Sequence, residues 1–305
     1  MNIKTFEKGQ IDNPKYSVLI PTWNSLEYLK LCIDSINKNS YYKPEILIHV
    51  NEGVDGTLEW LKEQDYSFNY SESNIGVCWS LNGLRPLVKS DYIVFINDDM
   101  YVCPNWDKEL FDEIESLPNN NFFLSSTLLQ PRPFWCKSVI SPADYGQDVK
   151  SFKEDELLKN YMKYEHPDWM GSTWPPNIIH RDIWDLVGGY SIEYSPGMYS
   201  DPDFSAKLWM AGIRYFKGIS KSRVYHFEAR STGRVKRNNG SKQFLNKWHI
   251  TSSTFMNKIL KRGEVFEGPA SIKNSKPIDF DIKRSKLKKI LQNFGIPGNS
   301  STLID

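Results

Sequence analysis

The sequence is poor in most of the features that would settle a protein class at once. It has only four cysteines, Cys32, Cys78, Cys103 and Cys136, far apart and without a C-x-x-C pair. That excludes a zinc knuckle and a dense disulfide framework, and the four read as reduced, mostly buried thiols. No stretch approaches the roughly 18 consecutive apolar residues of a membrane span. The start, MNIKTFEKGQIDNPK, lacks the apolar core of a signal peptide, so a cytoplasmic protein is expected. Net charge is only +1, which gives no global field to draw in nucleic acid, so any anion must be bound locally. No internal repeat occurs. Also missing is a Gly-rich turn after the first apolar strand, where the chain reads PTWNS. Its absence disfavours both a nucleotide-binding dehydrogenase and a sugar nucleotidyltransferase.

What is present is an alternation of short apolar runs and amphipathic segments. Tyr16 to Ile20 reads as a buried strand stopped by Pro21, with a helix capped by Asn24 and Glu27 that buries Leu26, Leu29, Ile33 and Ile36. Strands follow at 45–50, 68–70 and 92–96, with helices at 55–62, 81–87 and about 105–116 between and after them. Alternation of this kind predicts a mostly parallel sheet with helices on both faces. Ligands bind such sheets at the carboxyl ends of the strands, which singles out residues 21–24, 51–53 and 97–99. Further strands are expected at 122–129, 177–180, 213–216 and 223–226, and helices at 155–164, 181–187, 203–211 and 242–260. The loop 130–150 is too rich in Pro, Gly and polar residues for the core and reads as a cover over a site. Aromatic residues make up 14% of the chain, and flat amphipathic rings suit sugars and bases, although core packing accounts for most of them.

The strongest chemical signal is Asn97-Asp98-Asp99 at the end of YIVFI. Adjacent carboxylates ending a buried strand repel each other, and a divalent cation would neutralise them; a polar turn is the plain alternative.

At this point the chain resembles the family 2 glycosyltransferases. YSVLIPTWN, HVNEGVDGT, SNIGVCWSLNGL and YIVFINDDMYVCPNWDKEL follow that family's blocks in register over residues 16 to 110. VGGYSIEYSPGMYSDPDFSAKLWMAGIRY and RVYHFEARSTG resemble two later blocks. The resemblance implies a GT-A fold, with a Rossmann-like, mostly parallel sheet flanked by helices and a helical C-terminal extension. It also implies an inverting transfer from a nucleotide-diphosphate sugar (UDP, GDP or dTDP) to a glycan or lipid-linked acceptor, in polysaccharide or glycoconjugate synthesis.

Carried over by position, Pro21, Thr22, Asn24, Glu52, Asn74, Gly76 and Asp98 would bind the nucleotide sugar. Asp99 and His226 would hold a divalent metal, Mn2+ rather than Mg2+ because an imidazole ligand suits it better. Asp201 would be the catalytic base, and Trp169, Trp174 and Asp203 would floor the acceptor or donor-sugar pocket. Asn51 and Ser200 stand where the family has carboxylates, which keeps open a binding protein of the same fold without turnover. Arg230, Arg234, Lys236 and Arg237 could close over the diphosphate.

The expected organisation is a catalytic domain at 1–262, with a nucleotide-binding half at about 14–115 and an acceptor-binding half at about 120–262. A C-terminal extension follows at 263–305. In that extension Leu287, Ile290, Leu291 and Phe294 share a helical face opposite several lysines. Such a helix either lies on a membrane surface or docks on the body with its charged face solvated, and docking is the preferred reading.

Overall fold

The computed structural model describes residues 2–9, 11–196, 198–228, 238–271 and 276–293, the last with side chains over 279–291. The first half contains β1 (Ile3–Phe6), β2 (Ser17–Trp23), α1 (Leu26–Asn39), β3 (Glu45–Asn51), α2 (Thr57–Glu63), β4 (Ser67–Ser71) and α3 (Gly76–Leu84). Then come β5 (Tyr92–Phe95), β6 (Met100–Val102), α4 (Trp106–Ser116), β7 (Phe122–Leu129), β8 (Val139–Ile140) and α5 (Glu154–Asn160). The remainder is β9 (Trp169–Met170), β10 (Asn177–His180), α6 (Arg181–Val187), α7 (Ser200–Met210), β11 (Tyr215–His226), α8 (Gly240–Trp248), α9 (Ser252–Thr254) and α10 (Lys276–Asn293).

One sheet runs through the body in the order β1-β4-β3-β2-β5-β10-β7-β11-β6, with β8 and β9 added on β7 and β11. β4, β3, β2 and β5 are parallel neighbours, and so are β7 and β11. β10 is antiparallel to both β5 and β7 and joins the two parallel blocks. Along β2 and β3, Val18, Ile20, Ile46 and Ile48 enter one core while Leu19 and Leu47 enter the other. Helices cover both faces, which is why these strands are apolar throughout.

Several details depart from the sequence reading, each for a local reason. β2 does not stop at Pro21; Pro21 pairs with His49 on β3, after the ladder to β5 has ended at Leu19 and Phe95. Its missing N–H therefore costs that second ladder nothing. Asn24 does not cap α1, since its side-chain oxygen accepts from Val54 N, and Asp55 accepts from Leu26 N instead. The expected strands at 213–216 and 223–226 are one strand, β11, whose register shifts between Ile219 and Arg223 and breaks the alternation. The expected helix at 242–260 is interrupted where His249 turns left-handed at φ 61°. The loop after β7 is half core: Ile140, Ala143 and Tyr145 are buried with Tyr101, Tyr225 and Phe227.

The body also extends past 262. Residues 264–270 bond along β9 and β11 through Met170 N to Glu264 O, Phe266 N to Asp168 O and Ala270 N to Arg214 O. α10 docks on α8 and α9, but by its polar edge. Ser285 is buried and accepts from Thr251 N, and Lys289 donates to Asn246 O. Leu287 and Ile290, expected to face the body, are more than half exposed, and Phe294 lies outside the described residues. Among the described residues no helix is long and apolar enough to cross a membrane.

Candidate functional site

The carboxyl ends of β2, β3 and β5 meet along one edge of the sheet. At the end of β2 the Thr22 hydroxyl donates to Asp98 Oδ2 at 2.7 Å. At the end of β3 Glu52 adopts φ 61° and accepts from Trp23 Nε1 at 2.8 Å and Asn24 Nδ2 at 3.1 Å. Trp23, which stands where the family commonly has Tyr, thus positions a carboxylate expected near the nucleotide. Asn51 is buried and knits three segments together. Its amide donates to Thr22 O and Ser80 Oγ and accepts from Ile75 N at 2.8 Å. An aspartate could not donate those two bonds.

After β5 the chain turns through Asp98 and Asp99 into β6, an element the sequence reading missed. β6 pairs antiparallel with the end of β11, aligning Met100 with His226. Phe227 N donates to Asp99 O at 3.1 Å, closing the pair. That pairing brings together the two expected metal ligands, with Asp99 Oδ2 at 3.3 Å from His226 Nε2. Burial is the largest single influence on the His226 pKa and lowers it, but the charge and hydrogen bond of Asp99, with the charges of Glu228 and Asp98, together raise the value. Ligands about 2.1 Å from a cation on adjacent octahedral corners stand about 3 Å apart, so the pair fits one divalent ion with little adjustment. Among the described residues no group of three His, Cys, Asp or Glu side chains forms a fuller shell, so the other positions would fall to diphosphate oxygens and water.

Asp201 occupies the first turn of α7. The segment before α7 is fixed at the carboxyl edge by Pro196, whose carbonyl accepts from Val77 N. Burial pushes the Asp201 carboxyl up to about 7, against the opposing charge of Arg262. The helix start also favours the anion, so burial outweighs an unfavourable setting for the acid form. Cys78 is raised to about 12, first by burial and then by the charge of Asp201.

Other expected site residues are engaged elsewhere. Asn74 accepts from Gly76 N in a tight turn, and Gly76, at φ 78°, lies against Pro196, where a Cβ would come within 2.5 Å of its Cα. The close approach that this glycine permits is therefore to the protein's own chain. Trp169 is a correction: it is buried, its ring lies on Gly218, and its Nε1 donates to Thr127. Asp203 is another, fully buried and accepting from Trp248 Nε1 at 2.8 Å and from Lys247, so it ties α8 to α7. Trp174 remains half-buried, with the Arg262 guanidinium 3.8 Å over its ring and Phe134 beside it. Arg230, Arg234, Lys236 and Arg237 lie outside the described residues.

Two contributors escaped the sequence reading. Arg262 lies just past the helix expected at 242–260 and left no signal. Gln130 directly follows β7 and faces His226 Nδ1 at 2.9 Å. The carboxyl-end rule that singled out Asp99 would have singled it out too.

Residues 17–170 match the family model described as Glycosyl transferase family 2. The chain belongs to this family. Glycosyltransferase GlyA of Streptococcus pneumoniae is 30% identical over 105 residues, which span 33% of this chain and 15% of GlyA. The chain thus covers a small part of that family member. The glucosyl-dolichyl phosphate glucuronosyltransferase of Haloferax volcanii is 23% identical over 230 residues, 71% of this chain and 68% of that enzyme. The mannosyltransferase PcManGT of Pyrobaculum calidifontis, solved with GDP-Man and Mn2+, superposes with a TM-score of 0.51 at 13% identity, covering 94% of this chain and 73% of that one. At that identity the superposition bears on the fold alone, and it agrees with the architecture expected of family 2.

Proposed function

We propose that the protein transfers a glycosyl group from a nucleoside-diphosphate sugar to an acceptor hydroxyl with inversion, assisted by a divalent cation. The observation that carries this reading is the apposition of Asp99 and His226 at 3.3 Å beside the Thr22–Asp98 pair. Asp99 and His226 Nε2 would hold the cation, and Mn2+ suits the imidazole better than Mg2+. When bound, the cation supplies Lewis-acid stabilisation of the negative charge on the diphosphate. Thr22 and Glu52 face the nucleotide, and Asp98 the ribose or donor sugar. Inversion requires a base that takes the acceptor proton as the hydroxyl attacks opposite the leaving group. Asp201, pushed up to about 7, has the proton affinity for that task near neutral pH. Trp174 lines the acceptor side. The catalytic domain takes in residues to about 271, with α10 as the extension.

The test is release of nucleoside diphosphate from UDP, GDP and dTDP sugars with Mn2+ and with EDTA. Release that needs Mn2+ and is lost in Asp99→Asn is expected. If every donor binds but none turns over, a non-catalytic binding protein is the better reading.

For the acceptor, the outward stripe of Phe280, Leu287 and Ile290, flanked by the exposed Lys283, Arg284 and Lys286, supports contact with an anionic membrane surface at the cytoplasmic face and a lipid-linked acceptor. The name of the Haloferax relative, with its dolichyl phosphate, agrees with this. Co-sedimentation with phosphatidylcholine vesicles should require added phosphatidylglycerol and fail for Leu287→Glu. Equal recovery without vesicles would remove the membrane from the reading.

A further inference from the structure

We infer that Gln130 is a positioning residue that decides which ring nitrogen of His226 is left bare for the cation, by offering its side-chain oxygen to Nδ1–H. This rests on the metal reading above. Gln130 is 5% exposed, and its backbone is pinned on both sides, its N donating to Ile140 O at 3.0 Å and its O accepting from Ala143 N at 2.7 Å. The side chain faces the imidazole. Its Nε2 stands 2.9 Å from His226 Nδ1, and its Oε1 is buried without a hydrogen-bond partner.

In that orientation Nδ1 must accept, so the ring proton sits on Nε2, the nitrogen that faces Asp99 Oδ2. A protonated nitrogen cannot ligate a cation. Turning the amide end for end places Oε1 on Nδ1–H and leaves the Nε2 lone pair directed toward Asp99. The two ends of an amide have nearly the same shape, so the turn needs no backbone movement. A buried amide oxygen without a donor costs about 1–3 kcal/mol. Folding alone would be served better by an apolar side chain of the same length, whereas a ligating histidine needs its other N–H held by an acceptor. The amide therefore serves both states of His226, with its nitrogen inward before the cation is held and its oxygen inward afterwards.

The test compares Gln130→Met, which keeps length without hydrogen bonding, and Gln130→Glu, which keeps an acceptor. Mn2+ uptake is read from the free-ion electron paramagnetic resonance signal, with the metal alone and with UDP or GDP added. Long-range proton–nitrogen spectra of His226 with Mg2+ and the same nucleotide report the tautomer. Gln130→Met should lose about 10- to 100-fold in Mn2+ affinity and leave the tautomer mixed. Gln130→Glu should bind at least as well as the wild type, in the Nδ1–H form. If wild type binds and Gln130→Met binds equally, or both variants lose alike, the assignment to Gln130 is overturned while the metal site stands. A wild-type protein that takes up no Mn2+ under any of these conditions overturns both.

Discussion

On the side of the site proposed to face the nucleotide, Glu52 accepts from Trp23 and Asn24, and Asp98 accepts from Thr22. On the side proposed to face the acceptor, burial pushes Asp201 on α7 up to about 7 and Cys78 on α3 to about 12. The same functional group is thus placed in two settings, one that solvates the anion with neutral donors and one that penalises it. Neutral donors fix the position of a carboxylate, while desolvation makes it a better base. The proposed division into a binding side and a reacting side rests on that difference.

The sharpest way to break the comparison is Asp201→Asn. If the two sides have separate tasks, transfer should fall about 10²- to 10⁴-fold while donor binding stays within a few-fold. Single-turnover transfer and calorimetric titration of the donor separate the two effects. Lost donor affinity with surviving catalysis would reverse the roles. In the wild type, kcat/KM should rise about tenfold per pH unit and level off near pH 7, since the base works only as the anion.

The nucleotide side was the more legible half from sequence. Its residues follow strands directly, so the alternation of apolar runs located Thr22, Glu52 and Asp99 before any contact was known. What pairs Asp99 with His226 was not legible, because β6 is only Met100 to Val102 and its partner is over a hundred residues away. Trp169 and Asp203 were misjudged for a related reason. Polar and aromatic residues near a site look alike in sequence whether they face it or brace it, and only Gly218, Thr127 and Trp248 reveal which.

Desolvation alone does not make a reactive group, and His49 tests that boundary on the nucleotide side. It is fully buried on β3, its Nε2 is bonded to Ser71 Oγ, and burial lowers its pKa to about 4. The folded state then holds fewer protons than the unfolded chain between about pH 6.5 and 4. Stability is full above pH 6.5 and is lost as pH falls toward 4, by about 1.5 kcal/mol from pH 6.5 to 5. Urea midpoints at those two pH values should show the loss, and His49→Gln should flatten it while leaving the pH profile of transfer unchanged. A profile that moved would mean the two sides are coupled.

The smallest effect tests whether the donors on the nucleotide side matter individually. Trp23→Phe keeps an aromatic ring and removes the Nε1 donor to Glu52, while Asn24 Nδ2 still donates to the same oxygen at 3.1 Å. One hydrogen bond to a charged group contributes about 1.5–3 kcal/mol. Here the remaining donor and local water recover part of that, so donor KM should rise by about fivefold, near 1 kcal/mol. Because Glu52 acts on ground and transition states alike in this reading, kcat should not change. An equal fall in kcat would mean that Glu52 contributes only as the bond breaks, and the division between a binding side and a reacting side would have to be redrawn through β3.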